Sequence, residues 1–304
     1  ALINRSLIPP LRELKNNKVT AIASRSYEKA QKISELWSIP KAFGSYEALL
    51  ADQEIDVVYI PLPNSLHAEW TLKAANASKH ILCEKPLALT VEDVDQMTSA
   101  AHQAGVVMAE ALMYRHHPQT IKAKELIDEG VIGKLRLIRG TFNYPLREGK
   151  NIRLDPNLGG GCLWDIGYYP ISFARYVVGL DPIEAFGWQV TSETGVDMTF
   201  IGQLRFPEEI YAQINCSFQH PSQNSIEFVG SEGALRIDCA FMRGADKKIY
   251  VLKDDQIEKI SVDTSQHRYL GEVKDMYEAI KQSKCQRIPH EESRGNVATV
   301  NALL

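Results

Sequence analysis

Between about residue 10 and residue 112, short β-rich runs alternate with helical stretches, and this alternation restricts the chain more than any other feature. Val19-Thr20-Ala21-Ile22-Ala23, Asp56-Val57-Val58-Tyr59-Ile60, His80-Ile81-Leu82-Cys83 and Val106-Val107-Met108-Ala109 read as strands. Tyr27 to Trp37, Ala68 to Ala77 and Val91 to Ala104 read as helices, the last ended by Gly105. Strands that take turns with helices pair in parallel, so this stretch is built of βαβ units.

Past residue 130 the period falls to two. Phe200, Leu204 and Phe206 alternate with Thr199, Gln203 and Arg205, and Ile214, Cys216 and Phe218 with Gln213, Asn215 and Ser217, as strands with one buried face require. Further strands are predicted over 134–142, 226–229, 234–237 and 248–252. The fold class is therefore α/β followed by a second α/β half with a mostly antiparallel, open-faced sheet. The first half reads as dinucleotide-binding, the second as substrate-binding, with a cleft between them. The 304 residues divide into domains at 1–112 and 113–304, the final helix returning to the first.

A formal net charge of −4 excludes broad attraction to nucleic acid or to an anionic membrane. No apolar run approaches the roughly 18 residues that a spanning helix needs, and no basic-then-apolar leader precedes Leu2. Cys83, Cys162, Cys216, Cys239 and Cys285 are scattered singly, which gives neither a metal pair nor a disulfide framework and points to a reducing cytoplasm.

Glu84-Lys85-Pro86 follows a strand directly, at the carboxyl edge where open α/β sheets bind ligands. There a carboxylate can accept from ribose hydroxyls, and a lysine can place positive charge beside a reacting oxygen. Pro86 holds Lys85 extended or is cis. In Gly159-Gly160-Gly161-Cys162-Leu163-Trp164-Asp165-Ile166-Gly167-Tyr168-Tyr169, glycines permit close backbone approach, and helical continuation puts Asp165 and Tyr169 four apart on one face. A tyrosine beside Lys85, its pKa lowered by the ammonium, can serve as acid or base towards a carbinol. Pro170 restricts that helix to a start or a kink there. Pro61-Leu62-Pro63-Asn64-Ser65-Leu66-His67 also follows a strand and places His67 in a first helical turn facing the cleft. Ser24-Arg25, with Lys29 one turn on, ends the strand that meets an adenosine ribose; the lack of an acid there favours a 2′-phosphate and hence NADP over NAD. Each motif alone also has an ordinary reading, as surface charge, a turn proline or a core tyrosine.

Taken together, Tyr59 to Pro63, Lys79 to Pro86, Glu110 to Pro118, Asn151 to Pro170 and Gly230 to Ile237 resemble the Gfo/Idh/MocA oxidoreductase family. The chain is most similar to the branch of glucose-fructose oxidoreductase, NADP-dependent xylose dehydrogenases and dimeric dihydrodiol dehydrogenases, with Tyr169 where many relatives carry histidine. The resemblance implies a Rossmann domain and hydride transfer between NADP, or NAD, and a sugar, polyol or diol. It implies Lys85 and Tyr169 at the reacting hydroxyl or carbonyl, and Asp165 positioning substrate. Leu62, Asn64, His67, Glu84 and Arg115 would lie along the cofactor cleft, with Ser24, Arg25 and Lys29 at the 2′-phosphate. Arg153 and Tyr144 would lie on the substrate side. The family opens with a strand and a glycine-rich turn, whereas this sequence opens at Ala1-Leu2-Ile3, which resembles the end of that turn. A homodimer formed sheet to sheet, or a higher homo-oligomer, is expected from an open face. Two rival functions fit the same scaffold: an NAD-dependent glycoside hydrolase and a non-catalytic NADP-sensing regulator.

Overall fold

In a computed structural model, which describes residues 4–15, 17–146, 151–241, 248–263, 265 and 267–304, the first half alternates as its sequence requires. Helix α1 (Asn4–Glu13) leads to β1 (Ala21–Ala23), α2 (Tyr27–Trp37), β2 (Lys41–Phe43), α3 (Tyr46–Leu50) and β3 (Val57–Ile60). Then come α4 (His67–Asn76), β4 (His80–Glu84), α5 (Val91–Ala104) and β5 (Met108–Ala111). The expectation placed on Ala1-Leu2-Ile3 lies outside the described residues. All strand pairings here are parallel, β1 with β2 in one sheet and β3-β4-β5 in order in another, so within each sheet the carboxyl ends share an edge. Ser26, Ser45 and Thr90 cap α2, α3 and α5 by accepting a backbone N–H in the first turn.

β5 begins two residues later than the pattern predicts. Gly105 closes α5 in the left-handed region at φ 66, and the Val106 N–H turns back to the Ala101 carbonyl, so Val106 belongs to the helix end.

The second half comprises α6 (Pro118–Asp128), β6 (Leu135–Asn143), α7 (Tyr168–Val178), β7 (Glu184–Thr191), β8 (Asp197–Phe206) and β9 (Ile210–Ser217). It continues with β10 (Gln223–Gly230), β11 (Ala234–Asp238), β12 (Lys248–Lys253), β13 (Gln256–Ser261), α8 (Leu270–Gln282) and α9 (His290–Leu303). Its eight-stranded sheet has the order β13-β12-β11-β10-β6-β9-β8-β7, antiparallel except for the parallel pair β6–β9. Ile138, Phe142, Phe200, Leu204, Ile214 and Phe228 form its buried face. Thr199 and Ser217, predicted to face outward, are buried instead. Their hydroxyls bond to each other at 2.7 Å, and the turn after β9 folds over Ser217, with Gln219 N and His220 N donating to its Oγ.

The opposite face is open, with Phe186, Trp188, Ile201 and Tyr211 exposed, Trp188 at 61%. α8 returns to the first half, where Met276 packs on Leu82, Ala109 and Ala111. α9 packs against α5 and α7, and Arg294 Nε meets Asp95 Oδ1 at 2.7 Å.

Candidate active site

The turn after β4 and the segment before α7 meet at one carboxylate. Lys85 Nζ donates to Asp165 Oδ1 at 3.2 Å and to the Asp165 carbonyl. Asp165 Oδ2 accepts from Arg153 Nε at 2.6 Å and from Tyr144 Oη at 2.9 Å. The Lys85–Pro86 peptide bond is cis. Residues distant in sequence thus converge on Asp165, whose side chain is 17% exposed.

Local chemistry explains how Asp165 and Tyr169 reach this point. Gly161 has φ +115, and a Cβ there would lie 2.0 Å from Asp197 Oδ1, so only glycine fits. Asp197 Oδ2 accepts from Leu163 N at 2.6 Å and anchors the next turn, Leu163–Gly167, which is π-helical and runs into α7. Pro170 is the third residue of α7, in the turn that directly follows the π-helical one. It packs on Gly140 in the middle of β6, where a Cβ would come within 2.5 Å of the Pro170 Cβ. The Tyr169 ring is held among Phe142, Tyr114 and Phe241, and Lys85 Nζ stands 4.8 Å from its centroid.

The electrostatics separate the two candidate groups. Burial raises the Asp165 carboxyl, but the Lys85 and Arg153 charges outweigh it and hold the group down at about 2. The stability this carboxylate contributes is therefore present at neutral pH and is lost as acid approaches that value. The lowered phenol predicted for Tyr169 is reversed: burial pushes it well above the usual tyrosine value and the Glu84 charge adds to this, while the Lys85 ammonium is turned to Asp165. A phenol so placed stays protonated. Glu84 accepts from Tyr59 Oη, and burial raises its carboxyl despite that bond.

Two predicted site residues have other duties. His67 is fully buried rather than facing a cleft; Nδ1 lies 2.8 Å from the Pro86 carbonyl and Nε2 2.9 Å from the Leu62 carbonyl, so the ring ties two strand-end turns together. Burial lowers its pKa, and a neutral imidazole donates to one of these carbonyls at a time. Arg115, placed by resemblance at the cofactor cleft, is 1% exposed and paired with Glu292, Nε to Oε1 and Nη2 to Oε2 both at 2.9 Å, with its guanidinium 3.2 Å from the Tyr176 centroid. It joins α9 to α7 and the segment after β5.

Asn64 Nδ2 donates to the Gly159 carbonyl at 2.8 Å, which brings the Leu62–Asn64 turn against the glycine segment. Ser24 is half-buried at the end of β1. Arg25 and Lys29 are exposed and pair with no acid among the described residues, an arrangement that fits an anionic group such as a phosphate. The motif reading missed Tyr59, Glu110, Asp197 and Glu292. Glu110 carried a signal, since a lone carboxylate in the apolar run Met108-Ala109-Glu110-Ala111 must find partners if that strand is buried.

Comparison with known proteins agrees with this layout. Residues 2–112 match a family described as the oxidoreductase family, NAD-binding Rossmann fold, and residues 120–236 match the GFO/IDH/MocA C-terminal domain. The chain is 33% identical over 302 residues to D-xylose 1-dehydrogenase (NADP(+)) 2 of Haloferax volcanii, covering 98% of this chain and 92% of that one. It is 36% identical over 222 residues to trans-1,2-dihydrobenzene-1,2-diol dehydrogenase of Danio rerio, covering 73% and 66%. Among solved structures, KijD10, a 3-ketoreductase from Actinomadura kijaniata in complex with NADP and TDP-benzene, superposes with a TM-score of 0.92 at 30% identity, over 100% of this chain and 94% of that one. The same enzyme has been solved with a tyrosine-to-phenylalanine change and with lysine-to-alanine and lysine-to-glutamate changes. With both halves matched in order and a relative aligned along almost its full length, the chain belongs to the GFO/IDH/MocA family of oxidoreductases.

Proposed function

We propose that this enzyme moves a hydride between NADP and a hydroxyl or carbonyl carbon of a sugar, polyol or diol, with Tyr169 as the proton donor or acceptor and Lys85 beside the reacting oxygen. The observation that carries the reading is the convergence of Lys85, Arg153 and Tyr144 on Asp165, with the Tyr169 ring under the Lys85 ammonium. Relatives named as an NADP-dependent xylose dehydrogenase, a dihydrodiol dehydrogenase and a ketoreductase support the reaction class and the cofactor.

When bound, NADP supplies the hydride donor or acceptor. Arg25 and Lys29 would neutralise its 2′-phosphate, with Ser24 hydrogen-bonding to it; Leu62, Asn64 and Glu84 would line the path from the adenosine end to Lys85. His67 and Arg115 act at one remove, by fixing the turn after β3 and the segment after β5. In reduction, Tyr169 would give its phenolic proton to the carbonyl oxygen, and Lys85 would stabilise the negative charge that develops on that oxygen. In oxidation the proton returns to the phenolate. Arg153 and Tyr144 hold Asp165 from the substrate side.

NADP at about 100 times its Kd is expected to add about 2.7 kcal/mol to the stability of the full chain and to raise Tm by several degrees, with NAD giving a smaller shift. Stabilisation by NAD alone would overturn the role given to Arg25 and Lys29. An absorbance screen at 340 nm across aldoses and diols then identifies the substrate; net NADPH accumulation separates this enzyme from a hydrolase that regenerates its cofactor within each turnover.

The exposed Phe186, Trp188, Ile201 and Tyr211 on the open sheet face support a homodimer formed through that face. A depression of about 670 Å³ lined by Leu137, Gln203, Tyr211 and Gln213 lies on the same face, away from Lys85. Light scattering should give twice the chain mass at micromolar concentration, and a monomer there would rule the dimer out.

A further inference from the structure

Glu110 lies in β5 and is 2% exposed, yet its carboxylate is well provided with donors. Oε1 accepts from Leu87 N at 3.0 Å and from Tyr168 Oη at 2.7 Å, and Oε2 accepts from Ser293 Oγ at 2.7 Å. The donors come from the turn after β4, from α7 and from α9, and each is itself buried. A carboxylate suits this place because it accepts several bonds and donates none.

Two of these donors are next to the catalytic groups in sequence. Leu87 is two residues beyond Lys85, and Tyr168 immediately precedes Tyr169. We infer that Glu110 is the positioning residue of the Lys85–Tyr169 pair: a single oxygen atom fixes both the turn that carries the ammonium and the helix start that carries the phenol. This rests on the roles proposed above for Lys85 and Tyr169. Because both bonds end on one atom, a shift of either segment relative to the other lengthens one of them. Misplacement of reacting groups by about 1 Å costs about 10²-fold in rate, so a shared acceptor of this kind acts on turnover as well as on folding. The bond from Ser293 reaches the other oxygen and connects to α9, which carries neither group.

That asymmetry supplies the test. Tyr168→Phe and Ser293→Ala each remove one donor from the same carboxylate, and each should lower Tm by about 2–4 °C. Tyr168→Phe should also lower kcat by about tenfold or more with KM and the NADP Kd unchanged, whereas Ser293→Ala should keep kcat within about twofold. Glu110→Gln should recover kcat to within about threefold of the parent, because the amide oxygen still accepts from Leu87 and Tyr168 and its nitrogen can donate to Ser293. Equal kcat for Tyr168→Phe and Ser293→Ala, whether both reduced or both intact, would overturn the inference, since a merely structural carboxylate predicts that equality. Tyr169→Phe, measured alongside, separates the two levels of argument. If Tyr169→Phe retains turnover, the roles of the pair fail; if it is inactive while Tyr168→Phe behaves as Ser293→Ala does, only the positioning role of Glu110 fails.

Discussion

Tyr169→Phe should lower kcat by about 10²- to 10⁴-fold while leaving the affinity for NADP unchanged. The substitution removes one oxygen and keeps the ring, so the packing against Phe142, Tyr114 and Phe241 survives, as does the 4.8 Å approach of Lys85 Nζ to the ring centroid. What disappears is the proton carried to and from the substrate oxygen. The direction of the pKa shift adds a second signature. With burial and Glu84 holding the phenol protonated, reduction should show little pH dependence up to the ordinary tyrosine range near about 10, while oxidation, which needs the phenolate, should speed up as pH rises. Both profiles belong to the parent enzyme and should vanish in the phenylalanine variant. Turnover that survives nearly intact would remove Tyr169 from the mechanism.

Lys85→Met should lower kcat by about 10²- to 10³-fold, the cost typical of deleting one preorganised charge from a site where an oxyanion develops. Methionine retains the aliphatic stem beside the Tyr169 ring and removes only the ammonium. Asp165 keeps its bonds from Arg153 and Tyr144, so the fold should persist, and far-ultraviolet circular dichroism like that of the parent checks this. Losing one of its two neighbouring cations should also let the Asp165 carboxyl rise from about 2 towards the usual aspartate range. Acid unfolding of the variant should accordingly begin at a higher pH, because this carboxylate's share of stability disappears as pH falls through its folded pKa. A variant with parental kcat would show that the ammonium has no part in the chemistry.

The architecture was legible because its signals are local. Parallel βαβ units announce themselves through runs such as Asp56 to Ile60 and His80 to Cys83, and the period-two stretches around Phe200 and Ile214 mark the second sheet. Glu84-Lys85-Pro86 and the glycine segment before Asp165 could be picked out because each stands at an element boundary where a backbone must approach something. The partners of those residues were not legible. Arg115 meets Glu292 across 177 residues, and nothing near Arg115 in sequence marks it as a buried ion pair rather than a cleft residue. His67 looks like a cleft histidine until its two ring nitrogens are seen against the carbonyls of Leu62 and Pro86. The upward shift of Tyr169 depends on the buried volume around the phenol, which no spacing rule encodes. Local pattern locates the groups, and long-range packing decides what each one does.

The bonds between Lys85 and Asp165 also restrict where that ammonium can still donate. An ammonium has three N–H vectors, and in this enzyme two already point at the carbonyl and carboxylate of one residue. A single vector is left for an incoming oxygen. If Lys85 acts as proposed, the direction from which a substrate oxygen can meet the ammonium is therefore narrowed before the substrate arrives.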